Sequence, residues 1–243
     1  MLRAVLFDLD DTLLGNSMDR FLPAYFEELT RHLAHLVPPR HLISELMRAT
    51  AAMNANDDET ITNEEAFASA FYPAMERNRS TLELAFQQFY AEEFPKLEEL
   101  TQQRPEARAL VSSALEQGLK VVVATNPMFP RIAVEQRLAW AGVPVDEFDY
   151  ALVTTYEDMH ATKSSPLYYR EILDRVNVGA EDALMVGDDW DMDVVPASVV
   201  GLHIYWTTEH EGIPASVPQL AGHGSLSDLW SLVQTQGWTS LVI

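Results

Sequence analysis

The chain contains no cysteine in its 243 residues. That excludes disulfides and thiolate chemistry, and it fits a reducing, cytoplasmic setting. Basic side chains are scarce, 16 against 37 acidic ones, for a formal net charge of −21. A field of that sign repels nucleic acid and anionic membrane surfaces, so neither is expected as a partner. It also repels phosphorylated substrates, so any phosphate site has to be made locally electropositive. No apolar run approaches the roughly 18 residues that span a bilayer. The amino terminus lacks the basic start and long apolar middle of a signal peptide, because Asp8 interrupts it early. Neither Gly-x-x-x-x-Gly-Lys nor Gly-x-Gly-x-x-Gly occurs, which argues against a nucleotide-cradling loop. No Gly-x-Ser-x-Gly elbow follows a strand, so serine hydrolysis is not expected. There is no fixed-period repeat and no low-complexity tract. Hydrophobic residues nevertheless make up 47% of the chain, enough for one large or two modest cores.

The most informative stretch is Ala4 to Leu13, an apolar run ending abruptly in Asp8, Asp10 and Asp11. Ala4 to Phe7 have the composition of a strand buried on both faces. Residues two apart leave a strand on the same side, so Asp8 and Asp10 are expected to converge where it emerges. Two such carboxylates are costly unless a cation or substrate compensates them. Three further apolar runs share the pattern. Lys120 to Ala124 lead into Thr125 and Asn126, Tyr150 to Thr154 precede a loop leading to Lys163, and Ala183 to Val186 run into Gly187, Asp188 and Asp189. Asp191 and Asp193 follow closely. In an open parallel sheet, ligands bind outside the carboxyl ends of the strands, so these groups are expected in one crevice. Carboxylates, a hydroxyl and an ammonium together suit a phosphate held beside a hard cation.

The ordered set Asp8-Leu9-Asp10-Asp11-Thr12, then Thr125, then Lys163, then Gly187-Asp188-Asp189 with Asp193, resembles the haloacid dehalogenase superfamily, chiefly its phosphatases. The resemblance spans essentially the whole chain. One departure is that Lys163 is followed by Ser164-Ser165-Pro166, where many relatives place Pro directly after Lys. The resemblance implies an Mg²⁺-dependent phosphatase of small phosphorylated metabolites, acting through an aspartyl-phosphate. Asp8 would be the nucleophile and Asp10 the general acid and base. Mg²⁺ would take Asp8, Asp188 and the backbone carbonyl of Asp10. Thr125, Asn126 and Lys163 would hold the phosphate, with Thr125 and Lys163 also counted as catalytic. Asp189 and Asp193 would orient Lys163 and metal-bound water. The alternatives are a haloacid dehalogenase, a phosphomutase, or a catalytically silent binding member. Finding Asp10 together with Asp188 and Asp189 favours phosphoryl chemistry, because a dehalogenase needs no metal and leaves Asp10 without a task.

Strands alternating with helices imply a doubly wound, parallel, Rossmann-like sheet of α/β class. The alternation breaks after about Leu14 and resumes near Pro105. Between them four helices are expected: Met18 to Leu36, Arg40 to Met53, one opened by the Thr62-x-x-Glu65 capping box, and one opened by Ser80 or Thr81. The expected organisation is a catalytic core over 1–14 and 105–243 and an all-helical cap over 15–104. In the core, helices are expected from Pro105 to Gln117, stopped by Gly118, and from about Arg131 to Trp140, ended by Gly142. Others are expected over Leu167 to Val176, just after Asp193, and over Leu226 to Gln234. Gly201 to Trp206 is expected as a fifth strand.

Several candidate sites fall away. Asp189-x-Asp191-x-Asp193 begins like a calcium loop, but Val194 and Val200 stand where Gly and Glu are needed. His32, His35 and His41 lack a matching ligand set and read as solvated helix residues. Arg20, Arg48, Arg77 and Arg79 read as surface, and Trp190 as packing within the fourth motif. The physiological substrate and the oligomeric state are not legible from the sequence.

Overall fold

A computed structural model describes residues 1–56, 58–210 and 212–242. Strand β1 is Ala4–Phe7, and β2 is the short Leu14–Gly15. Helices α1 (Met18–Leu33), α2 (Pro39–Asn54), α3 (Asn63–Ala74) and α4 (Arg79–Glu92) follow, then a 3₁₀ segment over Phe94–Leu100 and strand β3 (Gln102–Gln103). The remainder is α5 (Pro105–Glu116), β4 (Lys120–Val123), α6 (Arg131–Trp140), β5 (Leu152–Val153), α7 (Pro166–Val176), β6 (Ala183–Gly187), α8 (Val195–Val200), β7 (His203–Thr207), β8 (Leu220–Gly224) and α9 (Leu226–Gln236). No helix of the described residues is long and apolar enough to cross a membrane.

Six strands form one sheet in the order β5-β4-β1-β6-β7-β8, parallel throughout. This is the expected Rossmann-like α/β sheet. The wholly buried β1 lies at its centre, and alternation along it divides the core. Val5 and Phe7 pack with α5, α6 and α9 and with the insert helices, whereas Ala4 and Leu6 pack with α7 and α8. The chain winds from β1 through β4 to β5 in one direction and through β6, β7 and β8 in the other. The carboxyl ends of β1, β4 and β6 therefore flank the switch point, the usual ligand crevice of such sheets.

Local signals account for most boundaries. Thr62 accepts from the Glu65 amide at 3.2 Å while Glu65 accepts from the Thr62 amide at 2.9 Å, so the capping box of α3 is complete. Gly118, with φ of +73°, takes the left-handed position that ends α5. The start of α4 differs from expectation, because Asn78 rather than Ser80 or Thr81 caps it, accepting from the Ser80 amide at 2.9 Å. Strand β8 is an addition that the sequence hides. Two of its five residues are glycine, which strands disfavour, and it occupies a sheet edge. Gly222 lets the strand lie close to Tyr205, since a Cβ would stand 3.0 Å from its ring. The two connections flanking α1 to α4 meet in an antiparallel ribbon, with Leu14 opposite Gln103 and Gly15 opposite Gln102.

Candidate functional site

Asp8 directly follows β1 and remains in register, its amide donating to the Val186 carbonyl at 2.9 Å. Its side chain is 9% exposed, and one carboxylate oxygen accepts from Lys163 Nζ. That ammonium also donates to Asp193 Oδ1 at 2.5 Å, so one buried cation bridges two buried carboxylates. Asp188 follows β6, and its Oδ1 accepts from the Thr12 hydroxyl at 3.0 Å. Asp8, Asp188 and Asp193 each offer an oxygen within 4.8 Å of the others.

Asp193 reaches the cluster through a π-helical turn, Trp190–Val194, a distortion often found at functional sites. The turn brings its carboxylate against Gly187, where a Cβ would stand 2.2 Å from Asp193 Oδ2. Glycine is therefore required at the end of β6. Asp193 Oδ2 also accepts from the Asp189 amide at 3.1 Å. The Asp189 side chain is exposed and does not reach Lys163. Its Oδ1 accepts from the amides of Asp191 and Met192 at 2.9 and 3.1 Å and caps the turn. Trp190 packs edge-on against Trp206 at 4.9 Å between centroids, and Trp206 Nε1 donates to the Asp188 carbonyl at 2.8 Å.

Asp10 goes elsewhere. The strand ends before it, and Asp11 adopts φ of +56°, so strand alternation does not carry the Asp10 side chain alongside that of Asp8. Asp10 Oδ1 accepts from Asn16 Nδ2 at 2.7 Å and Oδ2 from Arg137 Nη1. Arg137 is 1% exposed, its guanidinium lies over the Phe129 ring at 4.7 Å, and its Nη2 has no partner. Neither Asn16 nor Arg137 stands out in a motif. Arg137 does follow Ala133 by four residues and Val134 by three, both buried, so its place on the apolar stripe of α6 was a readable sign of an inward-facing cation.

At the end of β4, the Thr125 carbonyl accepts from the Thr154 and Tyr168 hydroxyls at 2.7 and 2.8 Å, which fixes the loop that follows. Thr125 itself is 2% exposed. Asn126 Oδ1 accepts from the Lys163 amide at 3.3 Å, joining the second and third motifs. Ser165 caps α7 from just beyond Lys163, accepting from the Leu167 amide at 3.3 Å, and Pro166 takes the first helical position. The departure in the Lys163-Ser164-Ser165-Pro166 stretch is thus an ordinary helix start.

The electrostatics follow from burial and crowding. Burial pushes Asp8 well above the usual carboxylate range; Lys163 opposes this, while Asp193 and Asp188 add to it. Burial, then Asp193, raises Asp188 to about 7. Asp193 is likewise raised by burial against the pull of Lys163. Burial works against the charge on Lys163, but Asp193 and Asp8 outweigh it and leave the ammonium more firmly protonated than usual. Three close carboxylates facing one ammonium leave negative charge unbalanced. An all-oxygen donor set of this kind fits a hard divalent cation.

A family model described as haloacid dehalogenase-like hydrolase matches residues 2–201. No curated protein matches the chain. Among solved structures, a 2-haloacid dehalogenase from Pseudomonas syringae pv. Tomato is 22% identical with a TM-score of 0.64, over 96% of this chain and 99% of its own. CbbY from Rhodobacter sphaeroides, solved in complex with phosphate, is 19% identical with a TM-score of 0.59 over all of both chains. A HAD phosphatase from Thermococcus onnurineus is 22% identical with a TM-score of 0.57, over 96% of this chain and 98% of its own. At these identities the neighbours establish the fold and leave the reaction to the site. With four-fifths of its length matched by the family model, and the family's fold throughout, the chain belongs to the haloacid dehalogenase-like hydrolases.

Proposed function

We propose that this hydrolase is an Mg²⁺-dependent phosphatase of small phosphomonoesters. The observation that carries the reading is the grouping of Asp8, Asp188 and Asp193 around one buried ammonium, with Asp10 held separately nearby. An Asp8 oxygen attacks phosphorus, the ester oxygen departs with a proton from Asp10, and an aspartyl-phosphate remains. Water then attacks that phosphorus, Asp10 takes its proton, and inorganic phosphate leaves with Asp8 restored. Asp8, Asp188 and the Asp10 carbonyl would hold Mg²⁺, which when bound supplies the positive charge that lets an anionic ester approach a carboxylate. Lys163 offsets charge on the phosphoryl oxygens, with Asp193 fixing its position. Thr125 and the Asn126 amide donate to those oxygens.

The ion pair to Arg137 and the bond from Asn16 occupy both oxygens of the Asp10 side chain and fix its position. To exchange a proton with the leaving group or with water, Asp10 has to be released by one of these partners. We assign residues 15–104 as a helical cap over the core, hinged where β2 and β3 pair. Asn16 adjoins this ribbon, so cap movement would reach Asp10 directly.

Phosphate release from an aryl phosphate, measured with and without EDTA beside halide release from a 2-haloacid, tests the reading. Metal-dependent phosphate release is expected. Halide release that persists in EDTA would replace it with the dehalogenase reaction.

A further inference from the structure

A cavity of about 490 Å³ lies between helices α1 to α4 and the core segments 128–132 and 156–157. Its size suits a small organic molecule. None of Asp8, Asp10, Asp188 or Lys163 lines it. Its walls are largely aromatic, with Tyr25, Phe67, Tyr72, Phe86, Phe129 and Tyr156 among them. The charged lining residues are Glu64, Glu83 and Glu157; no Lys, Arg or His lines it among the described residues.

Two of these carboxylates are already engaged. Glu83 pairs with Arg79 at 2.7 Å, and Glu157 accepts from the Arg131 amide at 2.9 and 3.0 Å. Glu64 has no such partner among the described residues. Burial, then the neighbouring Glu157, pushes its carboxyl upward, and the charge of Arg79 opposes this only in part. The wall also shows what it accepts, since the Arg79 guanidinium lies over the Tyr72 ring at 4.7 Å.

We infer that this cavity binds an organic cation with an apolar or aromatic body. Ring faces and a carboxylate that makes no ion pair among the described residues attract such a group together, and both disfavour an anion. A second phosphate or a carboxylate on the ligand would meet three carboxylates and no lining cation among the described residues. The occupant would adjoin the loop that follows β4, through Met128 and Phe129. Met128 accepts from Asn126 Nδ2 at 3.1 Å, and Phe129 lies against the Arg137 that holds Asp10. The cation is therefore either the alcohol portion of the phosphomonoester, a source that rests on the proposed phosphatase reading, or a separate effector.

Titration calorimetry with benzyltrimethylammonium, neutral N-benzylacetamide and anionic phenylacetate tests the cavity without any turnover. The cation should bind about 2- to 30-fold more tightly than the neutral probe, and phenylacetate more weakly than either. Glu64→Gln should remove most of the cation's advantage and leave N-benzylacetamide binding unchanged. No binding of the cation at millimolar concentration, or phenylacetate binding as tightly as the cation, overturns the inference. The source is read from turnover. A lower KM for 4-(trimethylammonio)phenyl phosphate than for phenyl phosphate, lost in Glu64→Gln, identifies the leaving group. A changed rate on phenyl phosphate with benzyltrimethylammonium present, without competition, identifies an effector. If neither ester is hydrolysed, the phosphatase reading fails while the calorimetry still decides the cavity.

Discussion

Replacing Arg137 with Met removes the guanidinium that holds Asp10 while keeping most of the apolar volume. Arg137 is 1% exposed and the Asp10 side chain 14%, so the change strands a carboxylate with little access to water. Removing one partner of a buried ion pair costs about 3–5 kcal/mol. Asn16 still donates to Asp10 and some water reaches it, which places this pair near the lower end. Loss of the guanidinium's contact with the Phe129 ring adds about 0.5–2 kcal/mol. The sum, about 3.5–5 kcal/mol, should lower Tm by about 7–20 °C in a domain of this size. Urea and thermal unfolding in EDTA measure it without interference from metal binding. Asp10→Asn combined with Arg137→Met should be less destabilised than the two single losses added together, because no charge is then stranded. Arg31→Met, at an exposed pair with Glu27 and Glu28, is the control and should leave Tm nearly unchanged. If Arg137→Met resembles that control, or the double variant is additive, the buried pair does not exist in solution as described.

Asp8→Asn should remove nearly all phosphate release and leave the unfolding transition in place. Asp10→Asn should lose about 10²- to 10⁴-fold in turnover, with the smaller losses on aryl esters whose leaving groups need little protonation. Gly187→Ala should force Asp193 away from Lys163 and reduce turnover strongly, because the added methyl would occupy the place of Asp193 Oδ2; normal kinetics in this variant would refute that packing. In EDTA, stability should fall as pH rises from about 4 to 7. Asp188 has a folded-state value of about 7 against 3.8 unfolded, so the folded protein holds the extra proton throughout that window. Millimolar Mg²⁺ should raise Tm most near and above the top of the window, and a flat pH profile in EDTA would count against the carboxylate cluster.

The parts of this molecule that were legible in the sequence are those whose signal is local. An apolar run ending in Asp8 locates a central strand and the end of it that faces the candidate site, and the same holds for Thr125 after β4 and Asp188 after β6. Thr62 and Glu65 announce a helix start three residues apart. What escaped depends on partners distant in the chain. Arg137 meets Asp10 across 127 positions, and only the fold brings them together. Asp189 and Asp193 look equivalent as letters, yet one caps a turn and the other enters the site, because a π-helical turn sets their directions. Strand β8 is strand only because β7 offers it an edge, and its glycines carry no strand preference of their own.

The ribbon of β2 and β3 has a topological consequence. Gly15 and Gln102 stand opposite each other, so the polypeptide departs from the sheet and returns to it at one spot. Antiparallel neighbours can be closed by a two-residue turn. Everything from Asn16 to Thr101 is thus an excursion of zero net displacement. It could be exchanged for another set of helices, or cut back to a tight hairpin, without altering the spacing or direction of β1 and β4. Such an exchange would forfeit the Asn16 bond to Asp10 and lay bare the apolar side of α6. The same doorway that makes the insert replaceable also makes Asn16 the residue any replacement would have to supply anew.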